Sequence, residues 1–231
     1  MPNDIVAAQF GYFGKVPVRG DFIQDHLPLD FLDPWNEWLQ AVQAVSREQL
    51  GEQWLECYLT SPVWHFSLSP GVCGDSGMVG TLMPSIDNVG RHYYFTLATS
   101  VENPPVAYWQ SRQWSENAED LVLQLLDDDM DLIQWLENLK NTDLLSDLVN
   151  NPNSAVKTEA GMGNQIVLLG EEHVQACDLL HLAYKTQFDR YCIWWTAGSE
   201  RMKSATLVTS GLPLISQFAA MLDGNWEQWG W

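Results

Sequence analysis

The run Cys73-Gly74-Asp75-Ser76-Gly77 contains the Gly-Asp-Ser-Gly that surrounds the nucleophile of trypsin-like proteases. Those enzymes carry His, Asp and Ser in that chain order on two β-barrels, and a further glycine helps backbone amides form the oxyanion hole. Here Met78 follows Gly77, the upstream chain reads as helical, and too few residues precede Ser76 to build a barrel. A glycine-rich turn between strands accounts for the same residues. Gly161-x-Gly163 falls short of a dinucleotide loop, because Ile166 stands where the third glycine belongs and Ala155 to Ala160 is a poor strand. His173 and His181, with Glu171 and Glu172 nearby, lie two turns apart on one expected helix, too far to share an ion. Asp127-Asp128-Asp129-x-Asp131 lacks the glycine and the glutamate that a calcium loop needs downstream, and reads as a solvated acidic helix boundary. No catalytic set, metal site or cofactor site is expected, so the chain reads as a non-enzyme.

Three cations stand apart from this. Lys15, Arg19 and Arg91 belong to a set of only 11 basic residues, and each sits in a turn shaped by Gly and Pro. A rigid turn holds a guanidinium in one place, which suits bidentate capture of a carboxylate. Alternatively Arg19 or Arg91 pairs with Asp21, Asp25 or Asp87 inside the protein and ties loops together. Fixed turns at strand ends are also where α/β domains bind ligands. A cleft between the first loop, Ser85, Asp87 and Arg91 would then serve a small-ligand sensor or an enzyme. A deep pocket lined by Lys15, Arg19, Asp21 and Arg91 favours that alternative; a flat exposed patch favours a protein partner.

The elements that must position these residues follow from periodicity. Ile5 to Phe10 is a short strand running into a loop over Gly11 to Phe22, where three glycines and Pro17 oppose a helix. Asp33-Pro34 reads as a cap and first helical residue, followed by Trp35, Trp38, Leu39, Val42 and Val45 on one face. Ser46 and Gln49 have capping-box spacing and predict a second helix through Leu50, Trp54 and Leu55, closed by Pro62. Val63 to Leu68, Met78 to Met83 and His92 to Thr99 predict an antiparallel meander. Leu121, Leu125, Leu132, Trp135, Leu136 and Leu139 predict acidic amphipathic helices within residues 101–150, which carry 11 acids and two bases. Asn141 to Gly163 reads as a mobile connection. Beyond it come a strand over Gln165 to Leu169, a helix over Glu171 to Lys185, strands over Tyr191 to Ala197 and Ala205 to Thr209, and a last helix from Pro213 through Met221. The expected fold class is α/β: a single three-layer domain over 1–231, with a mixed, partly antiparallel sheet and helices on its faces.

The chain has 231 residues, 46% of them apolar, enough for one generous domain with a packed core. Thirty acids against 11 bases give a formal charge of −19, which repels nucleic acid and anionic membranes and attracts a basic protein surface. No apolar stretch reaches the ~18 residues of a membrane span, and the start lacks a basic secretory signal, so a cytoplasmic protein without membrane insertion is expected. Cys57, Cys73, Cys177 and Cys192 show no disulfide or metal spacing and read as reduced thiols. Twelve Trp must be either buried or gathered at a contact surface, and composition does not decide which.

Specific motifs go further. Gly11-Tyr12-Phe13-Gly14-Lys15-Val16-Pro17-Val18-Arg19-Gly20-Asp21-Phe22, then Trp35-x-x-Trp38-Leu39, Ser46-Arg47, Trp54, Tyr58-Leu59-x-Ser61-Pro62-x-Trp64-x-Phe66 and Pro84-Ser85-x-Asp87-x-x-Gly90-Arg91 are present in that order. Over roughly residues 8–97 the sequence resembles the TagF (ImpM) proteins associated with bacterial type VI secretion systems. Beyond Thr99 only length and layout are compatible, and His92-Tyr93-Tyr94 is a small departure where aromatic or apolar residues are usual. The resemblance implies a cytoplasmic accessory protein that acts after translation to restrain assembly of the secretion apparatus. It implies binding to the system's forkhead-associated-domain scaffold protein, with no catalytic residues. The candidate partner-binding residues are Lys15, Arg19, Asp21, Ser85, Asp87 and Arg91.

Overall fold

The computed structural model describes residues 9–127, 129–146 and 174–231, together with the backbone of strands at 157–160 and 166–169. A seven-stranded sheet runs through its centre. The strands are β1 (Gly11–Gly14), β2 (Ile23–Asp25), β3 (Trp64–Leu68), β4 (Gly77–Ile86), β5 (His92–Val101), β8 (Cys192–Thr196) and β9 (Ala205–Thr209), in the order β2-β1-β5-β4-β3-β8-β9. The expected meander is present, with Trp64 opposite Leu82, Thr81 opposite Leu97 and Ile86 opposite His92. Every pairing in this sheet is antiparallel. The mixed α/β class therefore holds, with a sheet more regular than the expected partly antiparallel one.

Both faces of the sheet are covered, which explains why β3 and β8 are buried at every residue instead of alternating with water. Phe66, Leu68, Met78, Leu82, Tyr94, Ala98 and Trp194 pack on one face against α1 (Leu29–Leu50) and α2 (Trp54–Leu59). Val79, Met83, Phe95, Leu97, Ile193 and Trp195 pack on the other. That second face is covered by α3 (Pro105–Gln110), which carries no acid, and by α4 (Gln113–Leu123) and α5 (Leu132–Asn141), the expected acidic amphipathic helices. The helix α6 (Ala176–Phe188) contributes Cys177, Tyr184 and Phe188 to the same layer. The tryptophans go mainly inward. Trp35, Trp38, Trp54, Trp64, Trp114, Trp135, Trp194 and Trp195 are buried, and Trp35 stacks on Trp194 with ring centroids 5.9 Å apart.

Several boundaries differ from expectation. Gly11–Gly14 is strand, not loop, and only Ala155 to Val156 of the supposed poor strand and Ile5 to Ala8 of the first one lie outside the described residues. Gly14 sits at φ +148°, and a Cβ there would lie 2.3 Å from the Tyr94 carbonyl oxygen, so the close β1–β5 approach needs glycine. Helix α1 starts at Leu29 after an extended Pro28, with Pro34 inside it. An interior proline costs about 3 kcal/mol. Burying Phe31 and Leu32, at about 1.5–3 kcal/mol each, offsets it.

Ser46 does not cap a new helix. It lies inside α1, where its Oγ accepts from Trp54 Nε1 at 3.2 Å, and α1 ends at Gly51 with φ +54°. A 3₁₀ turn (Gly51–Gln53) then leads into α2. Within the supposed connection, Lys157–Ala160 is strand β6, paired with β7 (Ile166–Leu169) in a separate two-stranded sheet. The segment expected to be one helix from Pro213 is a 3₁₀ turn (Ile215–Gln217) followed by the short α7 (Ala220–Asp223). The Pro213 carbonyl accepts from Trp38 Nε1 at 2.9 Å, which fixes this segment against α1.

Candidate functional site

The turn after β4 and the loop after β1 meet at Asp87. The β4 strand outruns its partner β3 by four residues, and Tyr58 of α2 satisfies the exposed ladder edge there. The Tyr58 hydroxyl donates to the Ser85 carbonyl at 2.9 Å and accepts from the Ser85 N–H at 3.0 Å. Asp87 follows, with its side chain fully buried. Its Oδ2 accepts from Lys15 Nζ at 2.6 Å and from Arg91 Nε at 2.6 Å. Its Oδ1 accepts from the backbone N–H of Arg91 at 2.8 Å and of Val89 at 3.1 Å. Asp87 N–H donates to Arg91 O at 3.0 Å, and Gly90, at φ +82°, closes the turn.

The first loop is bound to this turn at two further points. Asn88 N–H donates to Arg19 O at 3.1 Å, and Arg91 Nη2 donates to Gly20 O at 2.5 Å. Burial alone would raise the Asp87 carboxyl. The Lys15 ammonium, the Arg91 N–H, the Arg91 guanidinium and the Val89 N–H outweigh that and hold it well below the usual carboxylate range. Asp87 is therefore ionised at neutral pH and orders two loops.

The six sequence candidates separate into two groups. Lys15, Ser85 and Asp87 are buried, and the charges of Lys15 and Arg91 converge on Asp87 within the protein. The loop-tying alternative is what the geometry shows for Arg91, and Lys15, which that alternative did not include, shares the same Asp87 partner. Arg19 and Asp21 are exposed and pair with no described charge, and the Arg91 side chain is 60% exposed despite its ion pair. Two neighbours escaped the sequence reading. Phe22 is 46% exposed, stacked on Phe13 at 5.4 Å and edge-on to Tyr93 at 4.9 Å, with Lys15 Nζ 5.1 Å from its ring centre. Val89, at the turn tip, is 69% exposed. Their membership of Gly/Pro-shaped turns was the available signal.

The remaining motifs resolve into local structure. Cys73 to Ser76 lies in the connection between β3 and β4, with Gly77 the first residue of β4; in that connection Asp75 N–H donates to Asp30 Oδ2 at 2.8 Å and Gly71 N–H to Gly74 O at 2.8 Å. Cys57, Cys73 and Cys192 are buried, Cys177 is half-buried, and all four are free thiols. Burial, with the Asp30 charge adding to it, pushes the Cys73 thiol up to about 12, so it is protonated and a poor nucleophile. Asp131 caps α5, its Oδ1 accepting from Ile133 and Gln134 N–H, as a helix boundary should; Asp128 lies outside the described residues. His181 Nδ1 lies 2.9 Å from the Tyr191 hydroxyl, while His173 and Gly161 to Gly163 lie outside the described residues. Among the described residues no three His, Cys, Asp or Glu side chains are grouped to hold a metal, and no helix is long and apolar enough to cross a membrane.

Residues 11–142 match the family model described as the TagF N-terminal domain, type VI secretion system-associated. That span runs from β1 through α5 and contains the whole Asp87 cluster. The fold is similar to the crystal structure of PA0076 from Pseudomonas aeruginosa PAO1, with a TM-score of 0.73, 29% identity and 94% of each chain covered. No curated protein sequence matches the chain.

Proposed function

Because the chain belongs to the TagF family of type VI secretion system-associated proteins, we propose that it is a cytoplasmic, non-enzymatic regulator that acts after translation to restrain assembly of the secretion apparatus. Its partner on this reading is the system's forkhead-associated-domain scaffold protein. The observation that carries the reading is the family match over residues 11–142, with both Asp87-bound loops inside it. The site itself agrees with a binding role. Its buried charges are spent on holding loop shape, and the side chains left outside, Arg19, Asp21, Phe22, Val89 and Arg91, are suited to contact a protein surface. The formal charge of −19 supports attraction to a basic region of that partner at long range.

A pull-down with the full chain from cells with an active secretion system tests the reading. It should recover the scaffold protein, and raising the amount of the full chain should lower secretion without lowering the transcripts of the system. Recovery of other secretion components without the scaffold would withdraw the partner, and unchanged secretion would withdraw the restraining role.

A further inference from the structure

We propose that the tip formed by Arg19, Phe22, Val89 and Arg91 is the recognition surface, and that its occupant is a segment of the scaffold protein with an apolar side chain flanked by carboxylates. The inference rests on the regulatory reading above and adds where the contact lies and what chemistry it selects.

Charge is the first argument. In a chain of −19, the three cations Lys15, Arg19 and Arg91 meet the two carboxylates Asp21 and Asp87 here, while Asp25 lies further along β2, opposite Tyr12. Four other arginines are engaged elsewhere. Arg47 lies over Trp54, Arg112 over Trp109, Arg190 donates to Gly71 O, and Arg201 pairs with Glu56. Among the described residues Arg19 is the one arginine whose side chain has no such partner. Arg91 uses Nε on Asp87 and Nη2 on Gly20 O, which orients the guanidinium of a side chain that stays 60% exposed. A guanidinium already fixed by the protein loses little freedom when it meets a carboxylate.

Exposed apolar groups are the second argument. Turn tips ordinarily carry Asn, Asp, Gly or Ser, and a β-branched residue gains nothing there in water. Val89 nevertheless occupies the tip at 69% exposure, on a turn bonded to the first loop through Asn88 and Arg91. Phe22 is held on Phe13 and Tyr93, so an aromatic surface is presented with its ring already ordered. An ordered aromatic ring beside arginine is the composition of interface centres. With the Asp87 charge already bound to Lys15 and Arg91 and Asp21 next to Arg19 in sequence, the tip is left near one net positive charge, which matches a monoanionic carboxylate more closely than a dianionic phosphate.

The test uses the full chain and the full scaffold protein. Arg19→Glu and Val89→Ser should each weaken affinity about tenfold or more, chiefly through faster dissociation, with melting temperatures near wild type because both side chains are solvent-exposed. A photo-crosslinking side chain at position 89 should capture a scaffold peptide containing Asp or Glu beside an apolar residue. Wild-type affinity in both folded variants would overturn this surface while leaving the regulatory reading in place. Capture of a basic peptide would overturn the proposed chemistry. Failure of the wild type itself to bind would overturn the regulatory reading and this inference together.

Discussion

Asp87 determines how the candidate site behaves at the scale of single residues. Its carboxylate receives two cationic and two backbone donors inside the protein, so removing its charge strands the Lys15 ammonium in a buried position. Asp87→Asn is expected to cost about 3–5 kcal/mol, and pairing it with Lys15→Met should cost less than the sum of the two single changes; denaturant unfolding of the three variants checks this. The pH dependence follows from the depressed carboxyl. In the unfolded chain Asp87 titrates in the ordinary carboxylate range near ~4, and folding holds it lower. Its stabilising contribution is therefore complete above that range and is lost as pH falls through it towards the folded value. Melting temperature against pH should show the wild type and Asp87→Asn converging as the solution is acidified; parallel curves would contradict the assignment. The sequence made Lys15 and Arg91 visible as cations in rigid turns. It did not reveal that Phe22 and Val89 face outward, because apolar residues read as core until packing assigns them a side.

At the scale of elements, α1 is the case where periodicity and boundary signals part. The stripe Trp35, Trp38, Leu39 and Val42 was legible and is the buried face. The helix start was not, because Asp33-Pro34 offers a good local cap while burial of Phe31 and Leu32 extends the helix by five residues to Leu29. Trp38 also donates to Pro213 O, so Trp38→Ala removes packing and a tie between distant segments; it is expected to cost about 3–5 kcal/mol, read by thermal or denaturant unfolding. Strand β1 shows the opposite failure. Gly11 and Gly14 oppose a helix and suggest a loop, yet Gly14 is what permits the approach of a strand to Tyr94 and Phe95. Gly14→Ala should lower the melting temperature more than an alanine at open Gly211, where a Cβ meets nothing within 4 Å.

At the scale of the whole molecule, the layered α/β class and the meander were readable from alternating patterns and turn residues. The strand order was not, since no local signal says that β8 pairs with β3 or that Trp194 stacks on Trp35. That long-range closure implies that a fragment of residues 1–100, lacking β8 and the α3–α5 layer, should not fold cooperatively; a sharp unfolding transition in that fragment would contradict it. The total charge of −19 acts at this scale as well. Steering extends over about a Debye length, near 8 Å at physiological salt, so raising salt should slow association with the scaffold protein and leave dissociation nearly unchanged. The measurement that bears most directly on the central claim is the equilibrium affinity of the purified full chain for the purified forkhead-associated-domain scaffold at physiological salt. The account predicts a saturable complex whose affinity falls about tenfold or more in folded Arg19→Glu; absence of any complex with correctly folded proteins would contradict it.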